Sequence, residues 1–347
     1  MHGNFSEDRV ISQFSDFIHS SQFRPKSRLT INADGNIHRY TLATESNSGK
    51  SGAYCLHLEG YCPAGFVQDW KRGVKATWKY DFSDEEKREY ARKMNDSESR
   101  AKYESERKEA ERRKAEERRL HEKNQQQARR SAWQEYLYTD LFGIFRHQYL
   151  KSRFIDLGIH IEKSTAFNSW DRQTPDEPEN YHPTQRFPIG ISRVNGSLIV
   201  PLLDVVTGEF RTLIRIPPTR NSKGSFDKRY YTGLSPTGAA HFLTPKYSEY
   251  ADTVLPCEGI ATAISLLVLT GEKYQIYSAG GCGNLLPVCT GLRKRFPKKK
   301  ICIMADKDEA GIKAAKQCIT AGVADDYRYP PNYKEDFYDF LARKVKH

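Results

Sequence analysis

TVLPCEGIATAISLLVLTG (residues 253–271) and KICIMADKDEAGIKAAKQCITAG (residues 300–322) decide the fold. Each opens on a short apolar run, reaches an acidic turn and passes into an apolar-periodic segment of helical length, which is a strand–turn–helix pattern. Between them, YQIYSAG (274–280) reads as another strand running into Gly-Gly-Cys-Gly-Asn, and LLPVCTGLRKRF (285–296) as a helix. DDYRYP (325–330) and DFYDFLARK (336–344) supply a last short strand and helix. Alternation at this spacing predicts an α/β fold with a parallel sheet over residues 246–347.

Glu258 stands where the first of these strands ends, and Asp306 and Asp308 where the third ends. Ligands of open parallel sheets bind outside the carboxyl ends of the strands. Three carboxylates converging there make a hard oxygen site suited to Mg²⁺ or Mn²⁺, ions that orient phosphates during phosphoryl transfer. Gly259 and Gly311 allow tight turns at helix N-termini, which also favour anions. A plainer reading of Asp306, Asp308 and Glu309 is that they cap the helix that follows.

Working outward, residues 189–245 read as a β-rich lobe: SLIVPLLD (197–204), a Thr-Gly turn, FRTLIRI (210–216), a basic loop and RYYTGL (229–234). Arg211, Arg215, Arg220, Lys223, Lys228 and Arg229 face Asp227 as the single acid of residues 211–229. DRQTPDEPENYHPTQRFP (171–188) is a polar, Pro-rich loop, and residues 131–160 place Trp133, Leu137, Leu141, Ile144 and Phe145 on one helical face. Residues 83–130 contain 29 charged residues among 48, with no Gly or Pro and many i,i+4 acid–base pairs but no apolar seam. They predict a long solvated helix, which could also touch a nucleic-acid backbone. Residues 1–82 read as a small α+β domain, with two strands around Asp34-Gly35 and another over 51–60. Trp70 and Trp78 flank basic residues there, as base-stacking platforms or as filling for a small core.

The chain has 347 residues and a net charge of +11, spread as excesses of +2, +3, +2 and +4 over residues 1–82, 83–130, 131–245 and 246–347. Distributed basicity points to a polyanionic partner, most often nucleic acid. No window approaches the ~18 apolar residues of a membrane span, and the start lacks a signal-peptide layout. Seven cysteines without a CxxC pair support neither a disulfide scaffold nor a zinc site, so a reducing cytoplasm is the expected location. Gly49-Lys50-Ser51 ends like a P-loop, but Thr44 stands where its first glycine belongs and a strand follows, so ATP binding is not expected there.

LPCEG, SAGGCGNL and IMADKDEAGIKAA together resemble the Toprim domain shared by DnaG-type primases, type IA and II topoisomerases and related nucleases, and look most like plasmid and phage primases. The resemblance implies Glu258 as general acid/base, Asp306 and Asp308 as ligands of Mg²⁺ or Mn²⁺, and Asp336 and Asp339 as a later acidic pair; Asp336 reads equally as a helix cap. VPLLDVVTGEFRTLIRI and DKRYYTG resemble the lobe preceding the Toprim domain in those primases, which implies that Arg211, Arg215, Lys228, Arg229 and Lys307 hold nucleic acid or NTP. The implied architecture is a small N-terminal α+β domain (1–82) in the place of a template-recognition domain, a charged helix (83–130), a mixed α+β primase lobe (131–245) and a Toprim domain (246–347). The implied activity is synthesis of short RNA primers from NTPs on a single-stranded DNA template, with a separate replicative helicase as partner and no membrane. A Toprim nuclease and a non-catalytic DNA-binding replication factor are the alternatives.

Overall fold

The computed structural model describes residues 6–45, 50–58, 62–70, 74–95, 97–141, 143–168, 188–244 and 248–346. Gly49 of the P-loop-like run and nearly all of the Pro-rich loop lie outside them. The chain divides into two compact units, residues 1–115 and 116–347. Among the described residues no helix is long and apolar enough to cross a membrane.

The first unit contains α1 (Glu7–Ser20), an antiparallel sheet of β1 (His38–Tyr40), β2 (Gly52–His57), β3 (Ala64–Asp69) and β4 (Val74–Lys79) in sequential order, and α2 (Asp84–Asn95). Val10, Phe14 and Ile18 form one stripe of α1 and are fully buried against Tyr54, Leu56 and Val67. Residues 28–33 make no strand; that segment meets the sheet through an isolated bridge from Asp34 to His57. Trp78 belongs to the core, 5.2 Å from Phe14 between ring centres, whereas Trp70 is 49% exposed.

Helix α3 (Ser97–Leu137) runs across the division between the units. Its charged turns are exposed from residue 111 to 127, and its apolar end buries Ala132, Trp133 and Tyr136. The helical face expected over 131–160 stops at Leu137. Beyond it come β5 (Thr139–Asp140), Gly143 at φ 78°, and only short turns including α4 (Gln148–Lys151) and α5 (Thr165–Asn168). Gly143, which takes the left-handed conformation without a Cβ penalty, opens the first of these turns.

The second unit is built on one ten-stranded sheet. β6 (Gly190–Ser192), β7 (Leu198–Asp204), β8 (Phe210–Ile216) and β9 (Arg229–Tyr230) are antiparallel. β10 (Ala239–Leu243) pairs with β7 on one side and with β12 on the other, so the lobe and the parallel region share a sheet. In the parallel region β11 (Thr253–Cys257), β12 (Gln275–Ser278), β13 (Lys300–Met304) and β14 (Asp326–Arg328) run in the spatial order β14-β13-β11-β12. Helices α6 (Ile260–Leu269) and α9 (Phe337–Lys346) pack on one face with Leu255, Cys257 and Ile276. α7 (Leu285–Arg295) and α8 (Glu309–Thr320) cover the other with Val254, Ile301 and Ile303. Alternate strand residues therefore serve opposite cores, as a doubly covered parallel sheet demands.

Candidate active site

β11 and β13 are parallel neighbours with Cys257 opposite Met304, so Glu258 and Asp306 leave the sheet side by side at its carboxyl edge. Asp308 is the N-cap of α8, its Oδ1 accepting from Gly311 N–H at 2.7 Å. The capping role open at the sequence level is thus realised for Asp308. Asp336 caps in the same sense: its Oδ1 accepts from Asp339 N–H at 2.8 Å, and Asp339 Oδ2 accepts from Asp336 N–H at 3.3 Å. The backbone draws Asp336 toward the other acids. Lys307 N–H donates to Glu335 O at 2.9 Å, and Lys334 N–H donates to Lys307 O at 2.8 Å, tying the turn after β13 to the segment before α9.

Two glycines are required by space. A Cβ at Gly311 would stand 2.5 Å from the Asp306 carbonyl oxygen and against Glu258 Oε1. Gly280 lies at φ 84°, and a Cβ there would stand 2.6 Å from the Tyr230 hydroxyl. Removing either glycine's freedom would push apart the turns that carry the acids and their neighbours.

Burial raises the Glu258 carboxyl to about 8, with the charges of Asp306, Asp308 and Asp336 adding to the rise and a backbone hydrogen bond at Asp306 opposing it. Asp306 is raised to about 6 by burial and by Asp336 and Asp308, while Thr262 and Lys228 pull it back. The Thr262 hydroxyl, in the first turn of α6, donates to Asp306 Oδ1 at 3.3 Å. Asp336 is raised by burial and by Asp339, and lowered by Arg153 and by backbone N–H groups. The acids therefore form one mutually repelling group, and Glu258 Oε1 is buried with no hydrogen-bond partner. Among the described residues no three His, Cys, Asp or Glu side chains are drawn in around a single ligating point. The donor chemistry still fits a divalent cation, which would relieve the repulsion and satisfy the orphaned Glu258 oxygen.

Lys228 also reaches the group, its Nζ 3.7 Å from a Cβ built on Gly259. The other basic residues implied by sequence go elsewhere. Arg211 pairs with Asp204 at 2.7 Å, and Arg215 pairs with Glu135 of α3. Arg215 lies over Tyr231, a partner of the cluster around Trp133, while Ile214 of the same strand points the other way and approaches Gly280. Arg229 is largely exposed, 3.5 Å from Asp227. Lys307 donates to the Pro331 carbonyl and lies 5.0 Å over Tyr329.

Sequence reasoning missed Arg153. Its guanidinium is 4.2 Å from the Tyr149 ring centre and 5.5 Å from those of Phe226 and Tyr338, its Nε and Nη1 are buried without partners, and its charge acts on Asp336. No local motif marks it, because its three aromatic neighbours come from distant parts of the chain. Cys282 was missed too; its thiol is raised by burial and by the charges of Glu258 and Asp308, which places the glycine-rich turn beside the acids.

Residues 255–341 match the family model described as Toprim-like. These residues form a Toprim-like domain. Nothing among curated protein sequences matches the chain. Among solved structures, it is similar to the primase fragment of the bacteriophage T7 primase-helicase, with 19% identity over 46% of this chain and 63% of that one and a TM-score of 0.34. It is also similar to a DnaG primase catalytic domain bound to single-stranded DNA, at 13% identity, 65% and 78% coverage and a TM-score of 0.38. The E. coli primase catalytic core gives 16% identity, 65% and 76% coverage and a TM-score of 0.36. The chain thus spans about three fifths of the phage primase fragment. The acids described above, from Glu258 to Asp339, all fall inside the Toprim-like domain.

Proposed function

We propose that the chain is a primase-type nucleotidyltransferase that joins NTPs on a single-stranded DNA template. The observation that carries this reading is the group of Glu258, Asp306, Asp308 and Asp336 at the carboxyl edge of the Toprim-like sheet, with Lys228 entering it from the lobe. In the reaction a 3′-hydroxyl oxygen attacks the α-phosphorus of an NTP, a new P–O bond forms, and pyrophosphate leaves. Asp306 and Asp308, with Glu258, would hold Mg²⁺ or Mn²⁺, which supplies charge neutralisation at the triphosphate and lowers the pKa of the attacking hydroxyl. With a cation beside it to keep it ionised, Glu258 would take up the hydroxyl proton. Lys228 meets the triphosphate oxygens as a point charge. Thr262 orients Asp306, and Arg153, fixed by its ring stack, sets a positive charge near Asp336.

The test is primer synthesis. Single-stranded DNA, four NTPs and Mg²⁺ or Mn²⁺ are incubated with the wild type and with Asp306→Ala. Labelled oligonucleotides from the wild type alone are the expected result. A shortened template without new product would replace this reading with hydrolysis by the same acids. Neither product nor shortening, under either metal, would overturn it.

A further inference from the structure

The sheet of the first unit has one face committed to its core, while the other presents exposed side chains around the buried Ala53 and Cys55. Tyr40, Tyr54, Leu56, Val67, Ala76, Trp78 and Tyr80 point inward under α1. Register then fixes the outer rows: Arg39, Ala53, Gln68 and Lys75 lie across the sheet in one row, Cys55, Phe66 and Thr77 in the next, and His57, Ala64 and Lys79 in the third. No acidic residue occurs in these three rows; Asp34 stands beside them, bridged to His57 and paired with His38 at 2.8 Å. Arg39, His57, Lys75, Thr77 and Lys79 are exposed, and so is Lys50 just before β2.

Two aromatic rings stand among these cations. Trp70, immediately after β3, lies under the Arg39 guanidinium at 4.8 Å, and Phe66 lies under Lys75 Nζ at 3.9 Å. A cation over an exposed ring is held by the ring's quadrupole and leaves planar surface next to positive charge. Aromatic rings interleaved with exposed Lys and Arg on one sheet face are what a single strand needs: bases stack on the rings and phosphates meet the cations. A duplex hides its base faces and offers nothing to the rings, and an acidic peptide would use the cations alone.

We propose that this outer face, centred on Phe66, Trp70, Arg39 and Lys75, is a binding site for single-stranded nucleic acid, separate from the Toprim-like site. The proposal does not depend on nucleotidyl transfer, because it concerns a different unit and a different ligand contact.

The experiment measures binding of fluorescent 20-nucleotide single strands, one DNA and one RNA, to the full chain across a salt series, with a DNA duplex as a third arm. Two variants are compared with the wild type: Lys75→Glu/Lys79→Glu and Phe66→Ala/Trp70→Ala. The charge variant is expected to weaken binding at least tenfold and to flatten the salt dependence by about 0.7 for each phosphate no longer neutralised. The aromatic variant is expected to weaken single-strand binding about 5- to 150-fold per stacked base while leaving the salt slope unchanged. The DNA and RNA arms identify the sugar preferred, and tighter binding of either over duplex supports the proposal. Wild-type affinity in both variants, with far-UV circular dichroism showing them folded, overturns it. Loss in the charge variant alone, with duplex bound as well as single strand, overturns it too, since the face would then be a general polyanion surface. Lys75→Gln/Lys79→Gln, a milder change at exposed positions, serves if the reversal misfolds. Asp306→Ala is measured alongside: a failure of synthesis with binding intact would count against the primase reading and leave this site standing.

Discussion

The two sheets of this protein leave opposite charges unbalanced. In the second unit several arginines are drawn into ion pairs: Arg211 with Asp204, Arg215 with Glu135, Arg293 with Asp325 and Arg343 with Glu335. At one edge of the Toprim-like domain the half-buried acids outnumber the cations that act on them, Lys228 and Arg153. In the four-stranded sheet the cations of the outer rows are exposed, and no acid stands in those rows. A salt bridge removes a charge from ligand chemistry, because its partner already satisfies it. Residual charge of either sign is therefore a better guide to function here than the overall value of +11.

The largest effect that could break this comparison is at Asp306. Asp306→Asn keeps the shape and the hydrogen bond from Thr262 but removes a charge, and should cut primer synthesis by about 10³-fold or more if that charge holds the reactive metal. Strand binding should change little. The reverse split is expected for Lys75→Glu/Lys79→Glu, with template KM raised and turnover at saturating template preserved. Both variants moving the same parameter would show that the two sheets do not divide the work. Gly311→Ala comes next: with the Asp306 carbonyl 2.5 Å from the new methyl, the turn must shift. Synthesis should fall about 10²-fold and stability by about 1–3 kcal/mol, read by activity and thermal melting.

The acidic edge should also cost stability when no metal is present. Glu258 is raised from 4.5 to about 8 in the folded protein, so the folded state holds its proton more tightly than the unfolded one. Stability therefore falls as pH rises from about 4.5 to about 8 and is level above that. Glu258→Gln should stabilise the metal-free protein at pH 8 by on the order of 2 kcal/mol, read as a higher Tm, and leave it nearly unchanged at pH 4.5. Saturating Mg²⁺ should narrow the difference. A Tm for the variant equal to or below that of the wild type at pH 8 would show that the acids are already compensated, and the contrast with the basic sheet would fail.

The parallel half of the fold was legible because each strand is a short apolar run and each helix is amphipathic or apolar on its own. β11 and the start of β13 fall where the sequence places them, and α8 is offset by one or two residues at its ends. The acids at the strand ends were legible for the same reason. What was hidden depends on distant partners. Nothing local says that Trp133 and Tyr136 extend the charged helix to Leu137 by packing on Phe210, or that Arg215 will meet a glutamate 80 residues earlier. Arg153 was hidden because Tyr149, Phe226 and Tyr338 assemble around it only in the fold. Trp70 and Trp78 are eight residues apart, yet they take opposite faces of the sheet because the chain turns between β3 and β4.

Arg215 gives the smallest and sharpest test. Its sequence context, in a basic stretch before the Toprim-like domain, implies contact with template or triphosphate. Its surroundings imply a strut: it donates from both Nε and Nη2 to the Glu135 carboxylate and stacks over Tyr231, with about a third of its side chain exposed. Arg215→Ala would strand a partly buried glutamate, at a cost of about 1–2 kcal/mol, which for a unit of this size is a Tm lower by about 3–6 °C. Glu135→Gln should lower the Tm in the same direction, and the double variant should cost less than the two single changes together, because they break one interaction. KM for NTP and affinity for the strand should stay within twofold. If KM for NTP rises tenfold while the Tm holds, Arg215 serves the nucleotide despite its ion pair, and a paired cation in this protein is not a spent one.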